Sequence, residues 1–533
     1  MQRLEAFLVQ HLEADDFLSP THRFDEELVL AYLRLHTGQE VDWPNRLLAD
    51  FELDPEPRDW GDGEPDTADW DFTGVKLLRL YLDFKNDPAL KAAARERVET
   101  LLRNFPQPRV RHNRNNDCHA VWPGIHTENH DLILLTIGYF RAYLNREDVT
   151  DHEAHLARSL GWRMRFGWLE ANSPTYQTRY VEPLAILIDH APNASIRVGA
   201  TALLNHLLAE RAMFSVQGYL AGPQARTRQR PTEPWKDRMT ALLYLWFGEP
   251  VPQRHEVSPY REAYWLLRSG FKPDASVATL WAERQEVNTE PRVYRGMRTR
   301  RGGEYTEFRY YVSPHVALGS CGWRGLTSRF RYHNTLLAHP RGYPVAVWHD
   351  YRPEDVEADP RYGVGEVVQW GEALVTRGKL KFTDSATDEM IDGWRVIHTP
   401  WAAAAQYSLP EGWHLLVVID LRRGGTTIQE ALGALVKPQW DDQQAVSWIN
   451  RKGDILRFDL NLATNQHGVY VNGERVVTPH GKLHDCHELL SWYGTGIVNV
   501  RPQTAPECQL TAESLDHVLL RKDTQAARQA AAR

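Results

Sequence analysis

From the N-terminus to about Gly248, apolar positions recur every three to four residues, in segments of 12 to 20 residues separated by short Pro, Asn, Asp and Gly breaks. That period gathers the apolar side chains on one helical face, so the first half is expected to be all helix. The segments FTGVKLLRLYLDF from Phe72, PALKAAARERVETLLRNF from Pro88, NHDLILLTIGYFRAYL from Asn129, TYQTRYVEPLAILIDHA from Thr175 and SIRVGATALLNHLLAERAMF from Ser195 show it most clearly. Pro183 falls inside the fourth and predicts a kink or a late start, because its ring removes a backbone donor.

The helical segments alternate in kind. Those starting near residues 70, 126, 175 and 234 follow Asn-, Pro- and Trp-rich loops, and the intervening ones are amphipathic and rich in Ala, Arg and Glu. The starts are 56, 49 and 59 residues apart, about one helical hairpin plus its loops. This predicts an incomplete α/α toroid whose inner helices open on one rim, with an irregular helical domain as the alternative. The Pro-rich stretch GEPVPQRHEVSP from Gly248 reads as an interdomain connection, followed by one more helix around residues 260–268. After Gly270 the period changes to two. VYRGMRTRRGGEYTEFRYYV from Val293 reads as a hairpin with a Gly-Gly turn, and WHLLVVIDLRRGG, GDILRFDLNL and GVYVNGERVV continue the strand pattern. The expected organisation is a helical domain over 1–257, an antiparallel β-sandwich-like domain over 258–523 and a short tail over 524–533.

Length and composition narrow the class. A chain of 533 residues with 42% hydrophobic and 25% charged positions is an ordinary multidomain globular protein, and no apolar run is long enough to span a membrane. The formal charge of -8 argues against a generally basic nucleic-acid surface. Cys118, Cys321, Cys486 and Cys508 form no CxxC pair, so neither a disulfide scaffold nor a four-thiolate zinc site is indicated. The start MQRLEAFLVQHLEADDF has acidic residues where a secretory signal needs a basic run, so a cytoplasmic location is expected. The 19 Trp residues supply flat apolar rings that suit either a core or a sugar face.

The densest polar cluster runs from Arg109 to Asp131 and leads into an apolar helix. So many His, Asn, Arg and acidic side chains at a helix mouth imply a wet, functional rim, containing Arg114, Trp122, His126, Glu128, Asn129 and His130. His126 and His130 share a helical face, which opens a metal reading, but no third ligand accompanies them. The next entrance, GWLEANSPTYQTRY, supplies Glu170, Asn172, Tyr176, Arg179 and Tyr180, with Tyr176 and Tyr180 spaced for stacking in a core as well. The third, RTRQRPTEPWKDRM, supplies Trp235 and Arg238 on a basic run suited to an acidic polymer. In the second half, strand alternation puts Tyr332 and Asn334 on one face and His333 on the other, so at most one of Asn334 and His333 points into a cleft. His484, Cys486 and His487 form a weak metal pattern, and no metal or other cofactor is assigned.

HTENHDLILLTIGYF and, about 40 residues on, GWLEANSPTYQTRYVEPLAILIDHA, followed by a β-rich half, resemble the heparinase II/III and alginate lyase superfamily. The likeness is greater to its bacterial branch with a Glu-Asn-His helix start, and it covers about residues 60–350; the NNHG and GHAHAD-type motifs are lacking. The resemblance implies an α/α toroid followed by antiparallel sheets, with cleavage of an acidic oligosaccharide or polysaccharide by β-elimination in an interdomain cleft. It also implies that Asn129 binds the substrate carboxylate, His130 acts as base, Tyr176 acts as acid or base, and His333 is the histidine of the β half. The proton lost lies next to a carboxylate, so donors must meet the charge that develops there. Two other readings stay open: a glycoside hydrolase using Glu128 with Glu170, Asp117 or Asp131, and a carbohydrate-binding protein without catalysis.

Overall fold

The computed structural model describes residues 23–53, 70–106, 109–112, 118–121, 128–168, 172–224, 234, 237–248, 258–283, 292–298, 305–321, 331–350, 367–383, 386–441, 443–460, 468–476, 482–486, 490–493, 497–520 and 522. The N-terminal part is helical: α1 (Arg23–Thr37), α2 (Asp42–Ala49), α3 (Trp70–Phe84), α4 (Ala92–Arg103), α5 (Glu128–Leu144), α6 (Thr150–Phe166), α7 (Gln177–His190), α8 (Ala194–Met213) and α9 (Met239–Phe247). A 3-10 helix, Ser258–Leu267, and α10 (Ala275–Glu283) follow.

The two kinds of segment differ in burial. Helix α4 buries a single stripe, Ala94, Val98 and Leu102, spaced by four residues. Helices α3 and α5 are buried nearly all round, as a helix enclosed by other helices must be. Pro183 sits inside α7, which neither ends nor starts late there. Asn193 caps α8, its side chain accepting from the Ser195 amide at 2.9 Å.

Two short hairpins correct the expectation of helix alone. Arg109–His112 pairs with Cys118–Val121 inside the polar cluster, and Ser215–Val216 pairs with Tyr219–Leu220 after α8. The second turns on Gln217 and Gly218, both at positive φ (51° and 81°), which suits a tight hairpin. Strands of two to four residues are too short to raise a period of two above the helical signal. Helical packing also continues beyond residue 257, since Tyr264, Trp265, Leu280 and Trp281 share the core of the preceding helices.

From Arg292 onward the chain is mainly antiparallel sheet. The largest has ten strands in the spatial order Lys379–Phe382, Val345–Asp350, His333–Leu337, Val316–Cys321, Tyr305–Val312, Arg292–Arg298, Lys482–Cys486, Leu490–Tyr493, Ile497–Val500 and Cys508–Thr511. Its alternation divides two cores. Ala317, Leu336, Ala346 and Trp348 pack with the helices, and Val316, Leu318, Leu337, Val345 and Val347 pack with Leu374, Ile397, Ala404 and Leu416 of a six-stranded sheet. The opposite face of that sheet, with Val375, Ala405 and Val417, packs on Val446, Trp448 and Phe458 of a five-stranded sheet. No helix among the described residues is long and apolar enough to cross a membrane.

Candidate functional site

Helices α3, α5 and α7 start at the same end of the molecule. Near their starts, the Arg179 guanidinium lies 4.4 Å from the Phe72 ring centre, and the His130 ring lies 4.7 Å from it, tilted by 38°. Farther along, Arg79 of α3 donates to Asp189 of α7 at 2.7 Å, and Gly74 of α3 faces Ile137 of α5. Contacts that advance in step along each pair make the three helices parallel. Phe72 therefore marks where their first turns converge, with His130 and Arg179 both against its ring.

Asp71 completes this group. Its carboxylate lies 2.7 Å from Nδ1 of His130, with 3% of the Asp71 side chain and 10% of the His130 side chain exposed. Sequence reasoning missed Asp71. The only signal was an acidic residue in the first turn of a helix that started beside the polar entrances, and such residues are common for electrostatic reasons alone.

The first turn of α5 is drier than a solvated rim. Glu128, Asn129, His130 and Asp131 are 1%, 0%, 8% and 1% exposed, so the wet-rim expectation is corrected for these four. Glu128 pairs with Arg163 of α6 at 3.1 Å, both side chains fully buried. Arg163 also donates to the carbonyl and hydroxyl oxygens of Ser159, each at 2.8 Å, and lies over the Trp168 ring. Buried charge demands this partnering, which sets the Glu128 carboxylate to holding α5 on α6.

Tyr176 immediately precedes α7, is 8% exposed, and donates its backbone amide to the Ser173 hydroxyl oxygen at 3.1 Å. It lies at the start of α7, three positions before Arg179. Tyr180 takes the core alternative among the readings of its spacing: it is fully buried and stacked on Trp168 with ring centres 4.2 Å apart. Asn172 donates both to the Pro223 carbonyl at 3.0 Å and to the Tyr310 hydroxyl at 2.7 Å, so its amide joins the helical part to the ten-stranded sheet. The amide of Arg238 donates to the Pro174 carbonyl at 3.0 Å, bringing the start of α9 to this entrance. Buried Arg211 reinforces that junction by bonding Gln177 and, at 2.8 Å, Asp237. A small cavity between the two parts is lined by Pro174, Tyr219, Leu220, Gln224, Pro234, Asp237, Asn334 and Leu336.

His333 is not brought to the helix mouths. It shares the strand face of Leu337, which packs on the six-stranded sheet, whereas Asn334 lines the cavity on the helical side. His333 Nε2 accepts the backbone amide of His349 at 2.9 Å, and His349 Nδ1 lies equally close. His349 Nε2 approaches Gln406 at 2.8 Å, and Gln406 continues to His414 at 3.3 Å. Burial, with His349 and Arg331 nearby, holds His333 well below the usual histidine range. Burial likewise pushes His349 down to about 3. The expected role in the cleft is therefore corrected for His333: strand alternation turns it into a dry layer between sheets.

Arg114, Asp117, Trp122, His126, Glu170, Trp235 and His487 lie outside the described residues. Among the described residues, no group of three His, Cys, Asp or Glu side chains is arranged to hold a metal ion. Neither a family model nor a curated protein sequence matches the chain.

Proposed function

We propose that the protein is a polysaccharide lyase-like enzyme that cleaves a uronic acid-containing glycan by β-elimination, on an incomplete α/α toroid backed by sandwiched antiparallel sheets. The observation that carries this reading is the Asp71–His130 pair at the convergence of three parallel helices, with the Arg179 cation on the other contact of Phe72. Elimination requires a base for the proton next to the carboxylate, a cation or amide to meet the growing charge there, and an acid for the leaving oxygen. His130 takes the first role, Asn129 the second and Tyr176 the third. The parallel α3, α5 and α7, enclosed on nearly all sides, support the toroid, and the shared cores of successive sheets support the sandwich.

Hydrolysis is less well supported, because it needs two available carboxyl groups flanking one bond. Glu128 is fully buried against Arg163, and Asp71 is bonded to His130. The test is incubation with a panel of uronic acid oligosaccharides and neutral glycans, followed by product masses. Elimination conserves the summed mass and leaves a C4–C5 double bond that absorbs ultraviolet light. Products heavier by one water would make the enzyme a hydrolase. Tight binding of an intact glycan would leave a binding protein.

A further inference from the structure

We infer that Asp71 is a positioning residue for His130: it fixes the imidazole as the Nδ1–H tautomer and leaves Nε2 as the basic nitrogen. The inference rests on the base role of His130 for its consequence in turnover, but its geometric content stands apart from any reaction. A carboxylate has only acceptor oxygens when ionised, so an imidazole nitrogen 2.7 Å from it must carry the proton. In a neutral ring the other nitrogen then holds the lone pair.

Three features make the arrangement a fixed one. Asp71 and His130 stand on different helices, so their contact depends on helix packing rather than on local chain bending. Phe72, next to Asp71, packs on the imidazole and limits its rotation. The second Asp71 oxygen is buried and finds no hydrogen-bond partner among the described residues, so no described residue turns the carboxylate away from His130. Among the described residues, the other charged groups near the pair are Lys76, whose buried ammonium donates to the Phe72 carbonyl at 3.2 Å, Arg179 across Phe72, and Glu128 and Asp131 on the same helix as His130; Glu128 is held by Arg163.

The carboxylate also favours the protonated ring electrostatically, so removing its charge makes the imidazolium easier to deprotonate. A proton taken up at Nε2 during elimination would thus be held more firmly beside Asp71 than beside a neutral amide.

The deciding experiment is ¹⁵N spectroscopy of histidine-labelled full-length protein, with the His130 signals identified by their loss in His130→Gln. The wild type is expected to show Nδ1 as the protonated nitrogen and Nε2 as the unprotonated one. In Asp71→Asn the two tautomers should mix and the midpoint should fall, and Asp71→Glu should restore part of both properties. A wild-type ring protonated at Nε2 overturns the inference without any variant, as does an unchanged tautomer and midpoint in folded Asp71→Asn. Where a glycan is cleaved, Asp71→Asn should lower kcat at least tenfold and move the acidic limb of the pH profile, with KM little changed. Absence of cleavage of every glycan by the wild type would count against the proposed function, while the tautomer measurement would still decide the role of Asp71.

Discussion

The side-chain amide of Asn172 donates to the Tyr310 hydroxyl at 2.7 Å, a bond between residues 138 positions apart that joins the entrance of α7 to the ten-stranded sheet. Tyr310 is itself stacked on Phe214, with ring centres 4.0 Å apart, so its hydroxyl is held in place. Asn172 has a φ of 54°, a left-handed conformation that asparagine tolerates better than most residues. Tyr310→Phe should destabilise the protein by about 1 kcal/mol. Asn172→Ala should cost about 2 kcal/mol, because backbone strain adds to the lost bond. Urea unfolding of both single variants and the double variant measures the coupling; strictly additive losses would show that the bond contributes nothing.

Glu128→Gln should be more damaging. It leaves the Arg163 guanidinium buried without its counter-charge, at a cost of about 3 kcal/mol. Replacing both with residues of similar volume, as in Glu128→Gln with Arg163→Met, should recover part of that loss. Thermal or urea midpoints check this, and a double variant no better than Glu128→Gln would refute the pairing as the cause.

Acid should destabilise the protein through the layer between the sheets. The folded state keeps His333 and His349 neutral, His349 down to about 3. The unfolded chain binds a proton at each near the ordinary midpoint of about 6.5. Below that midpoint the unfolded state therefore holds more protons, and stability falls as pH decreases. The loss should be about 1.6 kcal/mol for His349 between pH 6.5 and pH 5, with His333 adding in the same direction. His349→Gln should flatten the slope by about one proton in proton-linked unfolding measured across that interval, and an unaltered slope would contradict the assignment.

Two glycines in close packing should respond differently to a methyl group. At Gly199 an added Cβ would lie 2.4 Å from Cδ2 of Leu515, the far end of a flexible side chain. At Gly319 it would lie 2.4 Å from the Cα of Gly222, which is main chain and cannot rotate away. Gly319→Ala should destabilise by about 3 kcal/mol and Gly199→Ala by about 1 kcal/mol, in the range for overpacked interiors. Equal unfolding midpoints for the two variants would show that the sheet yields as easily as a leucine.

Much of the helix-then-strand order was legible because period and burial coincide over long segments. The run from Asn129 is apolar at nearly every position after its first turn, and that is what an enclosed helix requires. The hairpins around Arg109 and Ser215 were hidden by their brevity. At the candidate site, the sequence pointed to the entrances through their density of polar residues, but density does not reveal partners. Asp71 and His130 are 59 positions apart, and nothing local marks them as a pair. Glu128 and His130 look alike as polar residues at a helix start, yet one meets an arginine on α6 and the other an aspartate on α3. The opposite facing of His333 and Asn334 was readable from strand alternation, whereas which face meets the helices depends on tertiary packing.

At Gly319 and Gly222 the sheet rests directly on the loop that follows the Ser215–Leu220 hairpin, skeleton against skeleton. Such a seat works like a mechanical stop. Side-chain exchange can reshape the walls on either side of it, but the gap between the two parts at that point has no shim that mutation can thin.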